Sequence, residues 1–396
     1  MEQHILQAPY AVLCCVGTLL AASFVNWVYR WTNPPCRGKL PPGSMGFPII
    51  GETFRFFKPS ISLGIPTFYK QRLQRYGPVF KTSLVGQPVV VSMDPELNRF
   101  IFQQEGKLFR SWYPDTSNSI FGKDSICSYD GTLHRYVRGL AARQFGLESL
   151  KGDFLAELSG TIASSLQAWA AEPSIEVKDG ISNMIFDMTA RKLIGVDVKR
   201  ARELRRNFES FFQGMIAFPL YFPGTTFYQC MQEEHEAILK KREGLNSSIT
   251  WEEYKSMKFT AQVMNEMTRL SNVAPGIFRK TLKDVQVNGY TIPAGWLVMI
   301  SPMAVHLNPT LFEDPLNFNP WRWQEDKRST IQRNFIPFGG GIRLCVGADF
   351  SKVFIALFLH TLVTKYRWRE IKGGNVLRVT EIVFPEGYHI QLLPRI

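Results

Sequence analysis

The chain has 396 residues, 45% of them hydrophobic and 20% charged. It is long enough to bury a large core and too apolar and aromatic for a disordered protein. Its 30 Gly and 24 Pro are scattered without a period, which excludes collagen-like and low-complexity classes. The formal net charge of +12 suits a basic solvated surface, an acidic protein partner or an anionic membrane. No lysine-arginine block or aromatic-basic stripe supports nucleic acid as a partner. The six cysteines, Cys14, Cys15, Cys36, Cys127, Cys230 and Cys345, form no CxxC pair and no regular spacing. That excludes a disulfide scaffold or zinc site and leaves reduced thiols as the default.

In chain order, no charge interrupts the mostly apolar stretch from Gln3 to Tyr29. About 25 helical residues span roughly 38 Å, enough to cross a bilayer. Glu2 precedes the run, and Arg30, Arg37 and Lys39 follow it, so the positive-inside rule predicts a cytosolic main body. Residues 1–30 are expected to form a luminal tip and transmembrane anchor. Residues 31–48, with Pro34, Pro35, Pro41 and Pro42, read as a Pro-rich linker and stiff hinge. Residues 49–396 form the globular domain. The Asn246-Ser247-Ser248 sequon then faces the cytosol and stays unmodified.

Within the globular part, Pro66 to Tyr76 reads as a helix, and Val79 to Val85 and Pro88 to Ser92 as strands. Asp94-Pro95 opens a helix to about Glu105, with cap and first-turn proline in place. An aromatic-bearing loop from Ser111 to Asp130 follows. Helices are predicted at Leu133 to Gln144, Leu147 to Ala171, Ile181 to Ile194 and Lys199 to Phe218. Thr250 and Glu253 form a candidate capping box, and Lys258 to Leu270 a further helix. Short strands are punctuated by Gly289, Pro293 and Gly295, and an apolar helix runs from Asp349 to about Tyr366. Strand-like runs at Leu377 to Phe384 and Tyr388 to Leu393 close the chain. The fold class is mainly α with small β-sheets.

The segment Phe338-Gly339-Gly340-Gly341-Ile342-Arg343-Leu344-Cys345-Val346-Gly347 is the most unusual. Three glycines let backbone approach a flat object closely, and a helix start just beyond Cys345 favours a thiolate. Such a thiolate serves as a metal ligand or a nucleophile. A phosphate-cradling loop would need a Lys-Ser/Thr pair, which is absent. A nucleophile would need a histidine, and none of the six can be placed beside Cys345 from sequence. An inert buried cysteine in a glycine turn is the remaining alternative.

This segment resembles the haem-binding loop of the cytochrome P450 superfamily: Phe338, Gly341, Arg343, Cys345 and Gly347 match every position of its pattern. The resemblance implies haem b, with Cys345 as axial thiolate and Arg343 near a propionate; thiolate donation favours O–O cleavage. Glu266-Met267-Thr268-Arg269 resembles the family's Glu-x-x-Arg, and Phe318-Asn319-Pro320-Trp321-Arg322-Trp323 the segment whose arginine, Arg322, completes a buried structural network. His134 stands where the family usually has Trp, with Arg138 four residues on. Both residues and Arg279 are implied propionate partners. Pro41-Pro42-Gly43-Ser44-Met45-Gly46-Phe47-Pro48 and Ile292-Pro293-Ala294-Gly295-Trp296 resemble the plant branch that oxidises sterols, brassinosteroids and triterpenoids.

The resemblance therefore implies a monooxygenase acting on a lipophilic substrate in the endoplasmic reticulum membrane, with electrons from an NADPH-dependent reductase that docks on the basic cysteine side. Trp112, Ile120, Phe121, Val273, Ile277, Val383 and Phe384 are its substrate candidates; each could equally be an ordinary core residue. The family's central helix carries an Ala/Gly-Gly-x-Asp/Glu-Thr motif, which is absent between Arg138 and Glu266. The adjacent pair Thr225-Thr226 lies in a Pro-Gly turn instead. An internal deletion near residues 231–233 is expected, removing most of the central helix and with it the catalytic acid and threonine. The alternative function is an inactive, membrane-anchored isoform acting only through protein or membrane binding.

Overall fold

The computed structural model describes residues 2–113, 128–195, 248–324, 331–378 and 382–395. In chain order the helices are α1 (Glu2–Thr32), α2 (Thr53–Phe56), α3 (Thr67–Tyr76), α4 (Pro95–Gln103), α5 (Gly131–Phe145), α6 (Leu147–Lys151), α7 (Asp153–Ala170), α8 (Val177–Ile194), α9 (Trp251–Ser256), α10 (Lys258–Ser271), α11 (Pro302–His306) and α12 (Ala348–Lys365). The strands are β1 (Val79–Leu84), β2 (Gln87–Ser92), β3 (Phe109–Ser111), β4 (Ile175–Glu176), β5 (Ile277–Thr281), β6 (Val285–Val287), β7 (Tyr290–Ile292), β8 (Leu297–Ile300), β9 (Tyr366–Gly373), β10 (Leu377–Arg378), β11 (Ile382–Val383) and β12 (Tyr388–Pro394). The mainly helical expectation holds. The predicted helix at Lys199 to Phe218, Thr225-Thr226 and the junction near 231–233 lie outside the described residues.

The apolar N-terminal run is helical. Among the described residues no helix is long and apolar enough to cross a membrane. The Pro-rich stretch packs against the globular part. Thr291 donates its backbone N–H to Lys39 O (2.7 Å), Lys81 does so to Pro42 O (2.8 Å), and Met45 is buried. Gly43 sits against the Lys81 backbone, where any Cβ would collide with the Lys81 carbonyl. These contacts lay the linker against β7 and β1.

A five-stranded sheet has the order β1-β2-β8-β5-β3, with β2 and β8 parallel and the other pairs antiparallel. Its central strands alternate between two cores, with Val90, Val298 and Ile300 on one face and Val89, Val91 and Met299 on the other. That is the period-2 placement a sheet covered on both faces requires. A second sheet, β4-β12-β9, and the hairpins β6-β7 and β10-β11 complete the strands.

The helical core is built on α12, which is buried on nearly every side by α6, α7, α9, α10 and β9. Phe350 stacks on Phe154 with centroids 6.0 Å apart, and Phe354 on Phe358 at 6.3 Å. Truncating Phe354 to Ala should cost about 3–5 kcal/mol, because the surrounding rings cannot close over the cavity. The predicted helix from Leu147 to Ala171 is two helices. Gly152, at ψ −145°, leaves the helical region and splits them. The capping box forms as predicted: Thr250 Oγ1 accepts from Glu253 N (3.2 Å), and Glu253 Oε2 accepts from Thr250 N (2.7 Å).

Candidate active site

Two charged clusters contain most of the residues singled out by motif. The first is built on α10. Glu266 and Arg269, three residues apart, share a helix face, and both are fully buried. Arg269 forks onto the Glu266 carboxylate through Nε (2.9 Å) and Nη2 (2.8 Å), and Arg322 Nε reaches the same carboxylate at 3.0 Å. Asn319 N (2.9 Å) and Trp323 Nε1 (3.0 Å) also donate to it. The outer guanidinium nitrogens are capped by carbonyls: Arg269 Nη1 by His306 and Pro315, Arg322 Nη1 by Glu313. A buried ion network survives only when each charge is matched in this way. The predicted triad is therefore present, and Trp323 is an addition to it. Its signal was available, since a buried indole N–H needs an acceptor.

His306, on α11, joins this network to the cysteine loop. Ile336 N donates to its Nε2 (3.0 Å), which leaves the proton on Nδ1, facing Asn272 Oδ1 at 3.0 Å. Asn272 Nδ2 in turn donates to Arg269 O (2.7 Å). Burial, with the Arg269 charge adding to it, pushes the His306 imidazole down to about 3, so it is neutral at ordinary pH. Nothing in the sequence marked this histidine.

The second cluster surrounds the cysteine. Cys345 is a free, exposed thiol between the short 3-10 turn Gly341–Arg343 and the start of α12. Its N–H is tied to Phe338 O (3.0 Å) and its carbonyl accepts from Ala348 N (3.3 Å), so the loop closes around it. The Phe338 ring lies 5.7 Å from the Lys352 ammonium. The glycines divide their work differently from expectation. Gly339 and Gly341 have positive φ (79° and 65°), while Gly340 and Gly341 press against Phe102 of α4, where a Cβ would come within 2.7 Å. Gly347 does leave room: a Cβ there would approach only Cys345 Sγ, at 3.9 Å.

Around this loop the structure gathers the cations read as propionate partners. Arg138, on α5, donates to Leu344 O, next to the cysteine. Arg343 Nη2 donates to Tyr129 O (2.7 Å) and pairs with Asp130, while its Nε faces Glu105 Oε1 at 3.5 Å. Arg279, on β5, pairs with Glu105 Oε2. These side-on charge contacts are close without hydrogen-bond alignment: Arg279 Nε, Arg343 Nε and Glu105 Oε2 are all buried without a hydrogen-bond partner. His134 is buried, and burial together with Arg343 and Arg138 outweighs Asp130 and Glu105 to lower its pKa, favouring the neutral ring. Glu105 and Asp130 were missed because no motif or periodicity marks them.

The substrate candidates are only partly assembled. Ile277 Cδ1 is the nearest atom to the space beside Gly339, at 3.7 Å from a Cβ placed there. Trp112 packs edge-on against Phe278 at 5.7 Å. Val273 is exposed, and Val383 and Phe384 are half-buried on the β10-β11 side. Ile120 and Phe121 lie outside the described residues. A cavity of about 310 Å³ between α9, α10 and Trp323 is lined by none of these candidates.

The donor set fits a haem group: one exposed thiol, an open glycine beyond it, and two buried guanidinium side chains that share one buried carboxylate and so have positive charge left over for an anion. The residues' chemistry agrees with what the chain resembles. The family profile described as Cytochrome P450 matches residues 41–228 and 225–388. Cytochrome P450 87A3 of Oryza sativa subsp. japonica is 44% identical over 473 aligned positions, covering 98% of this chain and 92% of that protein. Cucurbitadienol 11-hydroxylase of Siraitia grosvenorii is 36% identical, covering 98% of this chain and all of that one. Cholesterol 16,22-dihydroxylase of Trigonella foenum-graecum is 32% identical over 89% of this chain and 92% of its own length. The solved structure titled "Retinoic acid bound cyanobacterial CYP120A1" superposes with a TM-score of 0.72 at 23% identity, covering 91% of this chain and all of the other, a likeness of fold. The cysteine loop, the buried Glu-Arg-Arg network and these matches together place the chain in the cytochrome P450 family of monooxygenases, on its plant sterol and triterpenoid branch.

Proposed function

We propose that this protein hydroxylates a polycyclic, lipophilic substrate of the sterol or triterpenoid class, with electrons from NADPH delivered by a reductase. The observation that carries the reading is the convergence of the exposed Cys345 thiol with Arg138, Arg279 and Arg343 on one loop. In this reading Cys345 would hold the haem iron through its thiolate, and Arg279, Arg343 and Arg138 would hold the carboxylates of haem b, with neutral His134 beside them. Bound haem supplies dioxygen activation and oxygen insertion. The chain's own part is to hold the thiolate in the closed turn between Phe338 and Ala348 and to seat the carboxylates in buried positive charge. Relatives named as hydroxylases of cucurbitadienol and cholesterol support the substrate class. The apolar run before Arg30 supports a single-pass endoplasmic reticulum anchor with a cytosolic catalytic domain, and the +12 net charge suits an acidic reductase.

A second reading rests on a specific observation. The family profile matches in two stretches that meet at residues 225–228, and the alignment to the rice relative runs over 473 positions, against the 396 residues of this chain. Both support an internal deletion beside 231–233 and an isoform without turnover. One experiment separates the readings: express the full chain in membranes, record the spectrum of the reduced carbon-monoxide form, then assay a sterol and triterpenoid panel with reductase. A thiolate-type Soret band with an oxygenated product supports the monooxygenase. Absence of haem uptake supports the inactive isoform. Long-read transcripts across codons 225–235 then test the deletion, and an uninterrupted exon there would rule out splicing.

A further inference from the structure

We propose that Glu105 is a positioning residue for the carboxylates of a bound porphyrin, holding Arg279 and Arg343 from the side so that their tips stay free for those carboxylates. This rests on the haem-binding reading above and goes beyond it, since Glu105 belongs to none of the motifs.

Glu105 follows the C-terminal end of α4, one residue before Gly106, whose positive φ of 81° turns the chain. The same helix end places Phe102 against Gly340 and Gly341, so one element grips both the cysteine loop and the arginines. The carboxylate cannot swing away. Oε1 accepts from Ser111 N (2.9 Å) and Ser111 Oγ (3.1 Å), and the side chain is 4% exposed. Fixed in this way, Oε2 meets Arg279 Nε, and Oε1 lies 3.5 Å from Arg343 Nε.

Both contacts use the Nε edge of the guanidinium. Among the described residues, Arg279 has one hydrogen bond, from Nη1 to Phe278 O (2.9 Å), and the Arg343 bonds all run from Nη2. Arg279 Nη2 and Arg343 Nη1 are therefore left over. The charge balance points the same way. Two arginines with side chains 6% and 8% exposed share one equally buried carboxylate, and the other acid, Asp130, is 56% exposed and reaches only Arg343. A buried cation in excess of its partners is costly unless an anion arrives. In the Glu266 network the carbonyls complete every guanidinium; here they do not. Glu266 takes Nε and Nη2 of Arg269 together in a bidentate fork, whereas Glu105 meets Arg279 and Arg343 at Nε alone. Glu105 instead sets their orientation and leaves the site positive.

The test uses the full chain in detergent, with wild type, Glu105→Gln and Ser111→Ala titrated with haem, with haem dimethyl ester, and with metal-free protoporphyrin IX followed by fluorescence. Glu105→Gln should weaken the two free-acid porphyrins about tenfold, the low end of the coupling between close buried charges. It should leave the diester unchanged. Ser111→Ala, which unlocks the carboxylate, should show a smaller loss with the same preference. Equal losses for acid and ester, no loss, tighter binding of the acids, or a wild type that does not prefer acid over ester would each overturn the proposal. If the metal-free acid shows the expected pattern while the haem complex gives no thiolate spectrum, the functional reading fails and the role of Glu105 stands.

Discussion

The protein holds two clusters of buried arginines, and they are finished to different degrees. Around Glu266 the carboxylate receives five hydrogen bonds, and the guanidiniums it binds are completed by backbone carbonyls. Around Cys345 the arginines touch Glu105 at Nε, and among the described residues Arg279 Nη2 and Arg343 Nη1 have no hydrogen-bond partner. The lesson is a way to tell a structural ion network from a binding cradle. The first closes on itself, since an unmatched buried charge would unfold it. The second keeps donors in reserve for a ligand and accepts the cost in stability.

That contrast predicts a graded series of effects. The largest belongs to the closed network: Glu266→Ala leaves Arg269 and Arg322 buried without their carboxylate and should cost about 3–5 kcal/mol, read as a fall in the urea midpoint. A loss below 1 kcal/mol would show that the network is not closed in solution.

The link between the clusters should respond to pH. His306 is held near 3 in the folded protein, below the 6.5 of a free imidazole. Between those values the unfolded chain binds the proton and the folded chain does not. The stability that His306 contributes is thus complete above about 6.5 and is lost as pH falls toward 3, by about 1.4 kcal/mol per unit. Unfolding free energies from urea titrations at pH 7 and pH 5 should differ by about 2 kcal/mol from this group alone, and His306→Gln should flatten that part of the slope.

A smaller effect calibrates the ordinary fold away from both clusters. Thr250→Ala breaks the reciprocal cap on α9 and should cost about 1 kcal/mol. The smallest stability effect belongs to the open cluster. Cys345→Ser alters an exposed atom and should change stability by no more than about 0.5 kcal/mol, while abolishing the thiolate-type band of the carbon-monoxide complex. A large destabilisation by Cys345→Ser would mean that the cysteine loop is part of the core, and the comparison would fail.

The two clusters were also unequally legible. Glu266 and Arg269 could be read together because helical period alone puts positions three apart on one face, and Arg322 followed by resemblance. The cations near Cys345 were named singly, from α5, β5 and the cysteine loop. Their meeting depends on Glu105 and Phe102, residues with no local signature. The strands show the same divide. β1 and β2 were visible as two β-rich runs around Gly86-Gln87, whereas β9 was not read at all: half of Tyr366 to Gly373 is charged, and it becomes a strand by pairing with β12.

The sequence by itself determined what depends on near neighbours: the glycine-rich loop that presents Cys345, the i, i+3 pair on α10, the capping box at Thr250 and the apolar helix α12. Tertiary structure alone decided the partners: which carboxylate holds Arg279 and Arg343, where Trp323 points its N–H, how His306 ties Asn272 to Ile336, and that the Pro-rich stretch lies against β1. The physical reason is range. Periodicity, caps and turns are set within a few residues, whereas a buried charge or imidazole is satisfied by groups that only the folded chain brings within hydrogen-bond distance.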